Sequence, residues 1–190
     1  MLVAGLLNLL SFMKIDNLLK ISLVAGAIFM APKITLAEEF LTIDEAKKVL
    51  WMSASMKSVD VVLTKEQMKS IQKASKIKVR NSKMRVWKTV DGGWFIVDQV
   101  IGKHENMDVA FALTNGGRVK GIEILNYRET YGWEVKSPKW LKQFIGKGHE
   151  EHLKLDKQIK NISGATLSCR HITDAVNRIT HSWDQVLRNL

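Results

Sequence analysis

From residue 76 onward, the sequence contains short runs in which apolar and polar residues alternate, and glycine-rich turns separate the runs. Alternation with a period of two is typical of a half-buried β-strand, and turns of two or three residues connect strands that run in opposite directions. The predicted strands lie at 77–80, 84–87, 94–101, 108–113 and 118–125, and the clearest turns are at 91–93 and 115–117. This part of the chain is therefore expected to form an antiparallel β-meander.

Two capping boxes predict helices before the meander. Thr42 lies three residues before Glu45, and Thr64 lies three residues before Gln67. At this spacing the threonine side chain can accept a hydrogen bond from the backbone N–H group of the Glu or Gln, and the Glu or Gln side chain can accept one from the backbone N–H group of the threonine. Apolar residues follow each box at helical spacing. Residues 38–75 are therefore expected to form a helical N-terminal segment.

Two further helices are expected after the strands. Pro138 opens a short helix at 139–145, because proline is favoured at the first helical position. Between residues 165 and 187, apolar side chains recur at spacings of three and four, which predicts a long amphipathic helix. An antiparallel meander flanked by helices belongs to the α+β class, and residues 76–190 are expected to form one domain.

The first 37 residues have the layout of a secretory signal peptide. Lys14 and Lys20 form a basic region, an apolar run follows at 21–31, and small residues precede an expected cleavage after Ala37. The sequence therefore predicts export to the periplasm or another extracytoplasmic compartment.

Met13 is a plausible true start of this signal, because the apolar residues before it are not required for export. The competing interpretation of the same segment is an uncleaved membrane anchor. An apolar run of 11 residues is well short of the roughly 20 that span a bilayer. Cleavage is the favoured interpretation.

The charge of the chain indicates an acidic partner. Its 190 residues include 29 Lys plus Arg and 19 Asp plus Glu, and the net charge is +10, or +8 without residues 1–37. Export and the lack of a recognition motif argue against nucleic acid. The single cysteine, Cys169, excludes an intramolecular disulfide and a multi-cysteine metal cluster, and no metal site is predicted.

The residues with the clearest chemical potential are Ser163-Gly164-Ala165-Thr166, just where the long helix is expected to begin. Ser163 is a natural N-cap, Gly164 allows a close approach of the backbone to a ligand, and Thr166 places a hydroxyl in the first turn. The N-terminus of a helix offers unpaired N–H groups and a partial positive charge, which suit a phosphate. On spacing alone, a simple capped helix start is the favoured interpretation.

This tetrapeptide, followed by Leu167 and Ser168, resembles the flavinylation motif of the FMN-binding domain family, found in the G subunit of the Rnf complex and the C subunit of the sodium-translocating NADH:quinone reductase. The resemblance implies that Thr166 carries FMN through a phosphoester bond to the ribityl phosphate. It also implies that an FAD:protein FMN transferase makes this bond after export.

A second stretch supports the resemblance. Glu129-Thr130-Tyr131-Gly132 is similar to the Glu-Thr-Pro-Gly stretch that packs on the isoalloxazine ring in the family. Trp133 follows it directly and is expected to be a neighbour of the flavin. The resemblance covers roughly residues 76–187.

The sequence departs from the family pattern at two positions. Lys160 stands where the family usually has an acidic residue, and Asp156 can take the place of that acid only if the loop between them is bent. Tyr131 replaces the family's proline, which removes a fixed φ and adds a ring able to stack on the flavin. The first departure bears on how efficiently FMN is attached.

Other residues are expected near the cofactor. Backbone N–H groups of Thr166 and Leu167, with Lys103 or Arg170 as cations, are expected to stabilise the anionic reduced ring, and the role of the cations is a hypothesis from charge alone. His104 is a candidate proton donor, although a surface or structural histidine is the favoured interpretation of a strand end.

Three functions follow from these observations. The first is an exported flavoprotein that carries electrons between a membrane redox donor and another redox protein. The second is the flavin subunit of a larger extracytoplasmic reductase, and the third is a binding domain without flavin. In the first two, the protein is an electron-transfer component rather than a stand-alone enzyme.

Overall fold

The computed structural model describes residues 38–39, 41–52, 54–102, 105–128 and 131–190. The predicted signal peptide lies outside these residues. The strands are β1 (Glu38–Glu39), β2 (Met56–Val62), β3 (Lys83–Thr89), β4 (Trp94–Ile101), β5 (Asn106–Leu113) and β6 (Val119–Tyr127). The α-helices are α1 (Ile43–Trp51), α2 (Lys65–Ser75), α3 (Pro138–Leu141) and α4 (Thr166–Gln185), and short 3-10 turns lie at Trp133–Lys136, Lys142–Phe144 and Leu187–Asn189.

The six strands form one antiparallel sheet in the order β1-β6-β5-β4-β3-β2. Strands β2 to β6 are therefore neighbours in sequence and in space, as a meander requires. Gly92 and Gly117 adopt φ of +82° and +73° in the turns before β4 and β6, a conformation that favours glycine. The predicted α+β class and antiparallel meander are confirmed.

Helices cover both faces of the sheet. The larger core joins one face to α2 and α4, and its fully buried side chains include Trp94, Ile96 and Phe111 of the sheet and Ile172 of α4. The smaller core lies on the other face, where Ala46 of α1 packs with Phe95, Val97, Ala110 and Leu125. The long amphipathic helix predicted at 165–187 is confirmed, because α4 spans Thr166–Gln185. Within the described part of the chain, no helix is both long and apolar enough to cross a bilayer.

The predicted strand at 77–80 is wrong. Helix α2 ends at Lys76 in the left-handed conformation, and the four residues after it form no ladder. The position beside β3 that such a strand needs is taken by β2, which pairs from Met56 opposite Thr89 to Val62 opposite Lys83. The apolar residue Val79 of this segment is instead buried in the larger core.

Strand β2 is absent from the sequence-based prediction, which made the whole segment before residue 76 helical. Among its seven residues, only Val61 is buried, because β2 is the last strand of the sheet. A strand at a sheet edge carries a weak apolar pattern, so its position depends on its partner β3. The two predicted helices on either side of it, α1 and α2, are present with both capping boxes formed.

Candidate functional site

The start of α4 differs from the prediction at one residue. Ala165, rather than Ser163, occupies the N-cap position, and no side chain caps the helix there. Ser163 is exposed, and Gly164 adopts φ of +86° with open space around its α-carbon. Because the chain makes a left-handed turn at Gly164, the helix begins two residues later than it would with Ser163 as its N-cap.

Thr166 is the first helical residue, and its side chain is half-buried. The Asn161 side-chain Nδ2 donates a hydrogen bond of 3.0 Å to the Thr166 Oγ1. The Asn161 Oδ1 is buried and finds no hydrogen-bond partner among the described residues. The Asn161 side chain therefore fixes the position of the threonine hydroxyl, and its Oδ1 can accept a hydrogen bond from a further donor.

The first backbone donors of α4 lie next to this hydroxyl in the chain. The first hydrogen bond inside α4 runs from the Cys169 N–H to the Ala165 carbonyl at 2.9 Å. The N–H groups of Thr166, Leu167 and Ser168 precede it and have no acceptor within the helix. The first turn of α4 contains no acidic residue, so the partial positive charge of the helix end is not neutralised by its own side chains.

The structure brings the second predicted stretch against this helix start. Gly132 adopts φ of +87°, and a β-carbon at this position would lie 2.8 Å from the Tyr127 hydroxyl, 3.2 Å from the Ser168 Oγ and 3.4 Å from the Ala165 β-carbon. A side chain at residue 132 would therefore collide with the first turn of α4. Gly132 and Ala165 were both predicted at the site, and they are in direct proximity.

Tyr127 and Ser168 connect the two stretches. Tyr127 was not singled out from the sequence, and Ser168 was named only as a residue that follows the motif. The Tyr127 hydroxyl donates to the carbonyl of Tyr131, and it lies 3.2 Å from the Ser168 Oγ. Because a phenol has one proton to donate, Ser168 is the donor in the second bond. The position of Tyr127 at the end of β6, directly before the Gly132 loop, is the sequence signal that would have identified it.

Exposed apolar side chains flank the helix start. Tyr131 is 81% exposed, Trp133 is 55% exposed and Leu167 is 39% exposed. Tyr131 and Trp133 adjoin Gly132, and the Lys136 Nζ lies 5.4 Å from the centre of the Trp133 ring. An exposed aromatic pair beside unpaired N–H groups suits a ligand that combines a flat ring with an anion.

Acidic groups lie near α4 even though Lys160 replaces the expected acid. The loop before Lys160 is bent, since Asp156 has φ of +62° and its N–H donates to the Ile159 carbonyl at 2.8 Å. The Glu134 Oε2 is buried and has no hydrogen-bond partner in the described part of the chain. The condition for Asp156 to act in place of Lys160, a bent loop, is met.

Burial raises the pKa of the Cys169 thiol above its usual value. Hydrogen bonding to backbone groups acts in the opposite direction, and the negative charges of Asp156 and Glu134 add to the increase. The same shift makes Cys169 a poor nucleophile, as expected for a buried thiol.

The remaining candidates divide into two groups. Arg170 is exposed and lines a depression of about 260 Å³ together with Asp156 and His152. Four others lie outside the described residues and stay predictions: Lys103, His104, Glu129 and Thr130.

One comparison with known protein families gave a match. The family model of the FMN-binding domain matches residues 102–181. This range contains β5, β6, the loop with Gly132 and most of α4. A search of curated proteins found no match.

Proposed function

We propose that this protein, whose residues 102–181 form an FMN-binding domain, carries FMN covalently on Thr166 and transfers electrons outside the cytoplasm. Its donor is a membrane redox protein and its acceptor a second redox protein. The observation that carries the proposal is the Thr166 hydroxyl, which lies at the open N-terminus of α4 where the Gly132 loop meets the helix.

The start of α4 fits a phosphoester on Thr166. The N–H groups of Thr166, Leu167 and Ser168 would donate to the phosphate oxygens, and the helix dipole favours the negative charge. Asn161 fixes the hydroxyl oxygen that would form the ester. The absence of a side chain at Gly164 leaves open space beside this end of the helix.

The exposed apolar side chains fit the ring of the flavin. Bound FMN supplies one- and two-electron chemistry, while the protein sets the position and electrostatics of the ring. Tyr131, Trp133 and Leu167 offer flat or apolar surface beside the attachment residue. Tyr131 takes the place of the family's proline and adds a stacking partner that proline lacks.

Asp156 and Glu134 are proposed to replace the acid missing at Lys160. Asp156 lines a depression together with Arg170 and Thr173 of α4, and Glu134 follows two residues after Gly132, which packs against the start of that helix. An FAD:protein FMN transferase that needs an acidic group near its acceptor threonine would find these two. Lys160 itself is exposed, and its backbone is fixed by the Gln143 and Trp140 side chains.

The positive charge near the site favours an acidic redox partner. Lys139, Lys160 and Arg170 are exposed on the segments that surround the start of α4. Complementary charge accelerates association and orients two proteins without requiring a large interface. The predicted export places this surface in the same compartment as a membrane donor.

The test is co-expression with an FAD:protein FMN transferase, followed by denaturation and intact-mass measurement. The wild-type chain should retain its yellow colour and the mass of one esterified FMN, and Thr166→Val should lose both while keeping its circular dichroism spectrum. Ser58→Ala is the matched control, because it removes an exposed hydroxyl on β2, outside the α4 site, and it should be flavinylated normally. FMN that is released on denaturation, or that stays bound in Thr166→Val, would contradict the proposal.

The role of the acids has a separate readout. Asp156→Asn and Glu134→Gln should each slow the incorporation of FMN by the transferase, and Lys160→Glu should accelerate it. Lys157→Glu, an exposed change in the same loop, controls for charge alone. Equal rates in all variants would show that no acid on this chain assists attachment.

A further inference from the structure

A cleft separates β3 from β4 at one edge of the sheet. The two strands pair from Lys88 opposite Trp94 to Arg85 opposite Val97, and their ladder ends there. Beyond this point β3 pairs only with β2, and β4 pairs only with β5. The inner edges of the two strands therefore diverge and leave a space in the sheet.

This space is a cavity of about 430 Å³ that α4 closes from below. Its volume lies in the range of pockets that hold small organic molecules. Apolar side chains form much of its lining, including Leu63, Val79, Ile96 and Ile179, all of which are buried. No residue of the Thr166 site lines it.

One cation lies deep in this cleft. Arg178 of α4 is 13% exposed, and its guanidinium donates to the carboxylate of Asp98, which extends from β4. A guanidinium has five N–H groups arranged in a fork, and the bond to Asp98 uses one of its nitrogens. The Asp98 carboxylate thus fixes a buried cation that keeps donors available to a second anion.

The charge of the cleft favours an anion. Its ionisable lining residues are Arg80, Lys83, Arg85, Arg178, Asp98 and Asp108. Both acids are engaged, Asp98 with Arg178 and Asp108 with Arg128 at 3.9 Å. Three exposed cations therefore surround an apolar cavity that has an arginine at its base.

We propose that the cleft between β3 and β4 is a second binding site, which takes an organic anion with a carboxylate head and a compact apolar body. The carboxylate pairs with Arg178 in a bidentate manner, and the body lies against Ile96 and Ile179. The cations of the rim raise the local concentration of the anion. This site does not depend on the proposed attachment of FMN.

The probe is naphthalene-2-carboxylate, added to the ¹⁵N-labelled full chain and followed by two-dimensional NMR. It should cause saturable shifts at the backbone amides of Lys83–Arg85 and Asp98–Gln99. Naphthalene-2-carboxamide, which has the same shape without the charge, should bind at least about tenfold more weakly. Absence of saturable shifts, shifts confined to other segments, or equal binding of the amide would overturn the proposal.

Two variants assign the interaction to Arg178. Arg178→Gln should weaken binding of the carboxylate by about tenfold or more, and Arg178→Lys should have an intermediate effect, because lysine keeps the charge and loses the fork. Arg188→Gln, in the 3-10 turn that follows α4 and outside the cleft, should leave the affinity unchanged. An Arg178→Gln variant that binds as well as the wild type would overturn the proposal, and should that variant not fold, the carboxylate and carboxamide comparison decides the question on the wild-type chain.

Discussion

The start of α4 and the cleft between β3 and β4 are two candidate sites of one domain, and they are built in different ways. The start of α4 takes its reactive hydroxyl and its N–H donors from consecutive residues, and one neighbouring loop completes it. The cleft combines the end of a loop, two strands and the middle of α4, and it exists because a ladder ends at Arg85 and Val97. A short motif can reveal the first kind of site, whereas the second depends on strand register.

The largest effect is expected where the two stretches of the α4 site meet. Gly132→Ala combines a left-handed φ with contacts that are too short, and it should lower the free energy of unfolding by about 2–4 kcal/mol. Gly146→Ala is the control, since its φ of +79° is similar and nothing lies within 4 Å of the added carbon. It should cost about 1–2 kcal/mol. Urea denaturation of both variants measures the difference, and equal losses would show that Gly132 is required only for its φ.

Loss of the ion pair in the cleft should lower the free energy of unfolding by less than Gly132→Ala does. Arg178→Gln leaves the Asp98 carboxylate, which is 28% exposed, without its partner, and the expected loss is about 1–3 kcal/mol. Arg188→Gln removes a pair with Asp184 that is far more exposed, and it should change stability by less than about 0.5 kcal/mol. A double-mutant cycle with Asp98→Asn isolates the coupling. A coupling near zero would show that the pair does not hold the cleft together.

The link between β6 and α4 gives a third comparison. Tyr127→Phe removes the bonds to the Tyr131 carbonyl and the Ser168 hydroxyl, and it should lower the free energy of unfolding by about 1–2 kcal/mol. Tyr131→Phe removes a hydroxyl from a side chain that is almost fully exposed, so its effect should be below about 0.5 kcal/mol. Thermal unfolding of the two variants is the measurement, and a larger loss in Tyr131→Phe would reverse the assignment.

The smallest effect concerns Asp174, which lies on α4 between the two regions. Burial raises the pKa of this carboxyl, while the nearby charges of His171 and Arg170 act in the opposite direction. The folded state therefore holds the proton more tightly than the unfolded state, so ionised Asp174 destabilises the fold at neutral pH, and the penalty disappears as the pH falls through the raised pKa. Asp174→Asn should gain up to about 1 kcal/mol at pH 7 and lose this advantage near about pH 4.

Denaturation at the two pH values tests this sign, and Asp91→Asn in an exposed turn serves as the control. An advantage of Asp174→Asn that grows on acidification would mean that the carboxylate, rather than the acid, is the form that the fold prefers.

The sequence predicted those elements whose signals are local. Both capping boxes, the turns at Gly92 and Gly117 and the amphipathic pattern of α4 are each decided by residues within a few positions of one another, and all are present. The sequence-based prediction was wrong where the structure of a segment depends on other parts of the chain. Alternation at 77–80 did not become a strand, because β2 occupies the adjacent edge, and Ser163 did not cap α4, because the chain turns at Gly164.

The same distinction holds for the two sites. The sequence by itself determined that Thr166 lies in the first turn of a long helix that follows a glycine, because helix starts are set largely by neighbouring residues. Only the tertiary structure decided that Gly132 lies against Ala165, that Tyr127 bonds to Ser168, and that Arg178 meets Asp98 in a divided sheet. These pairs are separated by 33, 41 and 80 residues, and their contact depends on strand order and helix packing, which no local pattern specifies.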